Sequence, residues 1–307
     1  MSPRFELGVV LRKLGSRLRP PEVMMNRPAG HPITMLEIDV DEVGAHGQLL
    51  ETLFEAGRTG VVIRRALSQT LIDTAVTRLG SADLAAAWGS PNAGMPGGEI
   101  RTIGDAATPT FTSFGGPPAA RYAASVARHE GWTRAIFGDD HPTPHLQRIF
   151  SALFGGRPAS PPAFDAASSW APYNYRALDP GVQIYSHHDN HYPLEIYQHL
   201  DERFDRGTLL SWFVTLQPAE RDGDLVIYGF WGSDPNPPML PTRFLDTDAL
   251  ERDFERHVTD LGAGDLIIFD SGRHVHRVSP VEGTRPRMTL GGFMTADVDR
   301  TQLAFWS

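Results

Sequence analysis

From about residue 171 onward the chain is a series of short apolar runs broken by Gly, Pro and Asp, and this punctuation limits the fold more than any other feature. The runs cover residues 182–186, 209–216, 225–229, 266–269, 274–278 and 288–294. Several short strands with turns between them indicate an antiparallel sandwich or barrel, not a parallel doubly wound sheet. The expectation is an α+β protein with a double-stranded β-helix (jelly-roll) core and flanking helices. Upstream, residues 33–40 read as a first strand, 43–56 as a helix and 60–64 as a strand. Ser68 is placed to cap a helix that runs to Gly80. Residues 119–153 look helical apart from a break at 138–144. Residues 87–120 are rich in Gly, Pro, Ser and Thr with weak periodicity, which predicts a long loop and a candidate cover for an active site. At 307 residues the length permits two domains, but one decorated β domain accounts for it. Residues 1–32 then form an extension or linker, and 33–307 a single domain.

Composition removes several classes of function. A formal charge of -9 argues against nucleic acid as the main partner, because phosphate binding draws on clustered Lys and Arg. A small-molecule substrate fits better. The chain has no cysteine, so disulfides, thiolate metal sites and cysteine nucleophiles are excluded, and any metal must use His, Asp, Glu or backbone oxygen. Arg4, Arg12, Lys13, Arg17 and Arg19 surround an apolar run, residues 7–11, too brief for a signal-peptide core or a membrane span. A cytoplasmic enzyme without a membrane partner is the expectation. Oligomeric state is not legible.

Residues 182–191 read Val-Gln-Ile-Tyr-Ser-His-His-Asp-Asn-His, which puts His187 and Asp189 two apart at the end of a predicted strand. On a strand those positions share a face, so an imidazole and a carboxylate can reach one ion. With 12 histidines in the chain, about one such spacing is expected by chance, and a second copy does occur at His199 and Asp201. That copy lies in residues 194–204, which read as a helix, where residues two apart diverge by about 200°. A third ligand is available from His274 or His276 on a later predicted strand, and spacing does not choose between them. Taken singly, each of these histidines, and His188 and His191, is more often a solvated or hydrogen-bonded residue. Jointly, two His and one Asp suit Fe(II) that activates O2, since three protein ligands leave three positions open. A chelating 2-oxoglutarate would then need a basic partner for its far carboxylate. Arg285 and Arg287 both lie downstream, on one predicted strand face with Thr289.

The His-x-Asp strand, the Gly-Asp-Leu-Ile-Ile-Phe run at 264–269, His-Arg-Val-Ser-Pro-Val at 276–281 and the following Arg-x-Thr resemble the 2-oxoglutarate/Fe(II) oxygenase superfamily. Within it the chain is most similar to the standalone aliphatic halogenases of welwitindolinone and ambiguine biosynthesis, from about residue 33 to the closing Phe-Trp-Ser. The likeness includes residues 60–64, Asp-Gly-Asp-Leu-Val-Ile-Tyr at 222–228 and the stretch 276–293. It implies iron ligands His187 and His276, not His274, and a 2-oxoglutarate anchor at Arg287, not Arg285. The departure is Asp189, where those halogenases have Gly and bind chloride. The resemblance therefore implies Fe(II), 2-oxoglutarate and O2, with hydroxylation of an unactivated aliphatic carbon of a small metabolite or modified amino acid. Desaturation, cyclisation or halogenation with the same cofactors is the nearest alternative. A cupin-like metal enzyme or a binding protein without 2-oxoglutarate is the more distant one. Residues 87–120 and 192–206, with Trp212 and Phe230, are the candidate pocket walls.

Overall fold

The computed structural model describes residues 30–90, 97–108 and 118–307. Alternation along the strands decides what each face of the protein carries. In Leu210–Gln217, Trp212, Val214 and Leu216 enter the main hydrophobic core. Ser211, Phe213 and Thr215, which alternate with them, therefore point to the opposite face. In Arg287–Ala296 the core takes Met288, Leu290, Met294 and Ala296, which turns Arg287, Thr289 and Phe293 the other way.

These strands are central in a nine-stranded sheet. Its path runs Met35–Asp39, Gly60–Arg64, Leu266–Phe269, Leu210–Gln217, Arg287–Ala296, Leu303–Trp306 and Ala159–Ser160, with Asn174–Leu178 and Ile100–Ile103 extending it beside the first half of Arg287–Ala296. Pairing is antiparallel except at the first two strands and the last two of that path. Three helices cover the outer face. Ser68 caps Gln69–Leu79 by accepting from the Leu71 amide at 3.4 Å, and Pro118–Phe137 and Thr143–Leu153 follow. Ile72, Leu79, Ile136, Phe150 and Leu153 pack there with Trp212, Val214 and Ile268. Each large apolar side chain buried this fully contributes roughly 1.5–3 kcal/mol, so this layer can hold the sheet while its inner face carries polar groups.

A four-stranded antiparallel sheet, in the order Arg256–Val258, Leu225–Trp231, His274–Val278 and Ile184–His187, lies against that inner face. Val62, Ile267 and Phe269 of the large sheet share a core with Leu225 and Ile227 of the small one. The outer face of the small sheet is sealed by Thr247–Asp253 and Phe254, through Leu250, Tyr228, Phe230 and Val275.

Several expectations change. The predicted loop at 87–120 contains the strand Ile100–Ile103, because its backbone pairs with Asn174–Leu178, where Ile103 is buried and Ile100 partly so. Its residues 91–96 and 109–117, like residues 1–29 of the predicted extension, lie outside the described residues. The helix expected over 43–56 is a 3-10 turn, Val40–Ala45, and a short helix, Leu49–Phe54, parted at Gly47. Residues 194–204 form only the 3-10 turn Glu195–His199. There Ile196, Tyr197 and Leu200 are drawn into an aromatic cluster with Trp170 and Trp306 that overrides helical periodicity. The strands Asn174–Leu178, Arg256–Val258 and Leu303–Trp306 extend the sheet content beyond the expected runs.

Arg287–Ala296 changes partner midway, from Asn174–Leu178 to Leu303–Trp306, and two glycines sit at the change. A Cβ at Gly291 would collide with the Trp212 carbonyl, and one at Gly292 with the Trp306 carbonyl. Backbone cannot yield as a side-chain tip can, so Gly292→Ala is expected to destabilise the fold by about 1–3 kcal/mol. Urea unfolding followed by tryptophan fluorescence measures this; an unchanged midpoint would mean that the strands separate without cost.

Candidate active site

The small sheet brings two of the expected histidines together by register. His276 and His187 are directly paired on adjacent antiparallel strands, and their ring centroids are 4.4 Å apart. After His187 the chain leaves the small sheet. The Asp189 amide donates to the Ser271 carbonyl at 2.8 Å, which turns its carboxylate back between the sheets. Asp189 Oδ1 lies 3.4 Å from His187 Nε2 and Oδ2 lies 3.5 Å from His276 Nε2. One donor atom from each of the three residues lies within 4.8 Å of the others. Bonds of about 2.1 Å to an ion would draw such donors only slightly closer, so the group could hold a metal.

Hydrogen bonding prepares the two rings for this. His187 Nδ1 lies 2.7 Å from the Tyr185 carbonyl and His276 Nδ1 lies 3.0 Å from the His274 carbonyl. A carbonyl only accepts, so each Nδ1 donates to it, and Nε2, which faces Asp189, is the atom left to bind a metal once it is deprotonated. His274 is disqualified by the same reasoning. Its Nε2 accepts from Trp231 Nε1 at 3.2 Å and its Nδ1 donates to the Tyr228 carbonyl at 2.9 Å. Both ring nitrogens are committed, and an irregularity in pairing between 274 and 276 separates the two side chains.

Electrostatics keep the carboxylate charged. Burial opposes ionisation of Asp189, but the imidazoles of His276, His187 and His191 outweigh it and hold the group well below the usual carboxylate range. Burial, and then the neighbouring His187, push His276 down, which favours the neutral form that a metal requires. Burial also opposes the charge on His187, but hydrogen bonding and attraction to Asp189 prevail and raise it.

Two contacts to Asp189 lie outside the expected ligand set. Ser211, on the inner face of the large sheet, donates to Oδ2 at 2.6 Å. His191, buried against Phe293, places Nε2 3.1 Å from Oδ1. The spacing His187-x-Asp189-x-His191 offered a hint for the second, whereas Ser211 becomes visible only when the sheets face each other.

The second His-x-Asp copy is elsewhere. His199 stacks on Phe164 at 4.6 Å, and Asp201 accepts from the Arg203 amide. Arg285 does not share a strand with Arg287; it is exposed and bonded to Glu220. Arg287 is buried with its guanidinium 5.0 Å from the Phe213 ring centroid. Burial, and after it the charge of Arg176, pull Arg287 down to about 10. Thr289 is buried on the same inner face. Of the expected pocket walls, Trp212 lies on the helix-covered side against Phe150, and Phe230 packs on Phe254 outside the small sheet. Neither faces the site.

A family model described as the carrier-protein-independent halogenase WelO5 matches residues 32–307. The chain belongs to this family. It is therefore an enzyme, a 2-oxoglutarate-dependent oxygenase that works with iron, 2-oxoglutarate and O2. Among solved structures, an N-substituted L-amino acid dioxygenase from Burkholderia ambifaria AMMD is similar at 16% identity over 86% of this chain and 91% of its own, with a TM-score of 0.50. That likeness is one of fold. The epimerase SnoN from nogalamycin biosynthesis is similar at 16% identity over 83% and 81% of the two chains, with a TM-score of 0.46. A Pseudomonas putida prolyl-4-hydroxylase is similar at 16% identity over 83% and 95%, with a TM-score of 0.39. No curated protein matches. Among the described residues, no helix is long and apolar enough to cross a membrane.

Removing a hydrogen bond that orients a metal ligand typically costs 10–100-fold in affinity. Ser211→Ala is accordingly expected to weaken Fe(II) binding by at least roughly tenfold, read by anaerobic competition with a chromophoric chelator. Wild-type affinity in that variant would show that Asp189 is held well enough without the hydroxyl.

Proposed function

We propose that this chain hydroxylates an unactivated aliphatic carbon of a small, free-standing metabolite or modified amino acid, and that one molecule each of 2-oxoglutarate and O2 is consumed as succinate and CO2 are released. In this reading His187, Asp189 and His276 are the iron ligands, and Arg287 with Thr289 holds the distal carboxylate of 2-oxoglutarate. The two facing sheets are the jelly-roll core of a single domain over residues 33–307, preceded by an extension, in a cytoplasmic enzyme.

Asp189 carries the reading. The halogenases that the chain resembles have Gly at this position and leave a coordination place for halide, whereas here a charged carboxylate lies within reach of both histidines. With that place filled, halide has no position beside the metal, which favours transfer of hydroxyl over transfer of halogen. Iron and 2-oxoglutarate, when bound, supply the activation of O2 through oxidative decarboxylation of the keto acid. The protein's part is placement. His187 and His276 offer Nε2 lone pairs fixed by their Nδ1 bonds, Ser211 and His191 fix the carboxylate, and Arg287 presents a planar fork for a bidentate carboxylate.

The test is anaerobic addition of Fe(II) and 2-oxoglutarate to the metal-free protein, with the weak visible band of the chelate as the readout. The band should form with wild type and with His274→Ala, and disappear with His276→Ala; a reversed pattern would exchange the two histidines. Under O2, Asp189→Gly should lose hydroxylation, and retained turnover in that variant would remove Asp189 from the ligand set.

A further inference from the structure

Four polar residues stand in one row across adjacent strands of the large sheet. Thr102 pairs with Arg176, Arg176 with Thr289, and Thr289 with Thr215. Alternation puts the row on the inner face, because Tyr173, Tyr175 and Ala177, which alternate with Asn174 and Arg176, lie in the outer core. Much of this wall has nothing to bond. Asn174 Nδ2 and Thr215 Oγ1 are buried without a hydrogen-bond partner. Among the described residues, neither Arg176 nor Arg287 has a hydrogen-bonded or ion-paired acceptor. Buried donors are satisfied in the great majority of cases, and an unpaired buried cation is costlier still. Two guanidinium groups, an amide and a hydroxyl in want of acceptors on one wall describe a cradle for an anion with more than one carboxylate.

The two arginines are not equivalent. Asp224 is the acidic neighbour of Arg287, and Arg287 lines a cavity with Thr215, Gly223 and Asp224 at the edge of the sheets. Arg176 has Asp189 as its acidic neighbour, and its charge is also felt at His187. Arg176 is thus near both Arg287 and the His187, Asp189 and His276 group, on the strand beside that of Thr289. A 2-oxo acid that chelates an ion there brings its own carboxylate to that place.

Building on the proposed function, we propose that Arg176, with Asn174 beside it, is a second carboxylate-binding residue that grips the C1 carboxylate at the 2-oxo end of 2-oxoglutarate, while Arg287 takes the distal one. Arg176 is half-buried, and the loss of solvent around it disfavours its charge in the free protein, which the arriving carboxylate relieves. The competing source of a carboxylate at Arg176 is the substrate.

The experiment separates the two ends of the cosubstrate. Fe(II)-loaded full-length protein is titrated anaerobically with 2-oxoglutarate and with 2-oxobutyrate, which keeps the 2-oxo end and lacks the distal carboxylate, and the visible band is followed. Losing a charge-assisted bond costs about tenfold or more. Arg287→Gln should weaken 2-oxoglutarate by about that factor and leave 2-oxobutyrate unchanged, whereas Arg176→Gln should weaken both, with partial recovery in Arg176→Lys. Without cosubstrate, Arg176→Gln should unfold at or above the wild-type temperature, since it removes an uncompensated buried charge. Unchanged 2-oxobutyrate affinity in Arg176→Gln overturns the assignment and leaves the substrate as the carboxylate's source. A wild-type protein that gives no band with either acid overturns the cofactor reading itself.

Discussion

Asp189 holds a buried negative charge between the two sheets, and isolating such a charge there would cost several kcal/mol. It is tolerable because His187, His191 and His276 surround it and Ser211 donates to it. Those partners come from both sheets: His187 and His276 from the small one, Ser211 from the large one, and His191 from the turn between. The carboxylate thus links the two sheets through polar contacts, beside the apolar core that packs them together. A folded protein without metal can keep this arrangement, since the imidazoles occupy the directions from which an ion would approach. Preorganisation of this kind lets a ligand set close on a cation with little movement.

The inner face of the large sheet shows the opposite balance. At Asp189 the negative charge is satisfied, while among the described residues the positive charges of Arg176 and Arg287 and the donors of Asn174 and Thr215 are left without acceptors. Nothing in the folding of the chain alone favours this wall. Its cost is carried by the outer face of the same strands, where Trp212, Val214, Leu216, Leu290 and Met294 are buried under helices. One face stabilises and the other binds, and the strict alternation of a strand keeps the two roles apart.

That division explains what the sequence made legible. Runs such as Leu210–Gln217 and Leu266–Phe269 are apolar enough to announce strands, and the His-x-Asp pair announced the site because its two residues are local. Asn174–Leu178 was silent for a physical reason: its inward positions are Asn174 and Arg176, polar residues where a strand pattern would show apolar ones. Residues 194–204 looked helical because their apolar spacing fits a helix, but the demands of the Trp170 and Trp306 cluster set their shape. The choice between His274 and His276 rests on Trp231 and Tyr228, residues more than forty positions away, which occupy both nitrogens of His274. The choice between Arg285 and Arg287 rests on where pairing begins, and Glu220 captures Arg285 outside it.

The family relationship sharpens the meaning of position 189. In this chain the carboxylate at 189 takes the Ser211 hydrogen bond as well as the contacts of the histidines. A reversal at Asp189 alone would leave Ser211 and His191 without their acceptor, two buried polar groups newly unpaired at a cost of about 1–3 kcal/mol each. Asp189, Ser211 and His191 therefore act as one unit in this structure, and a single change at 189 alters all three.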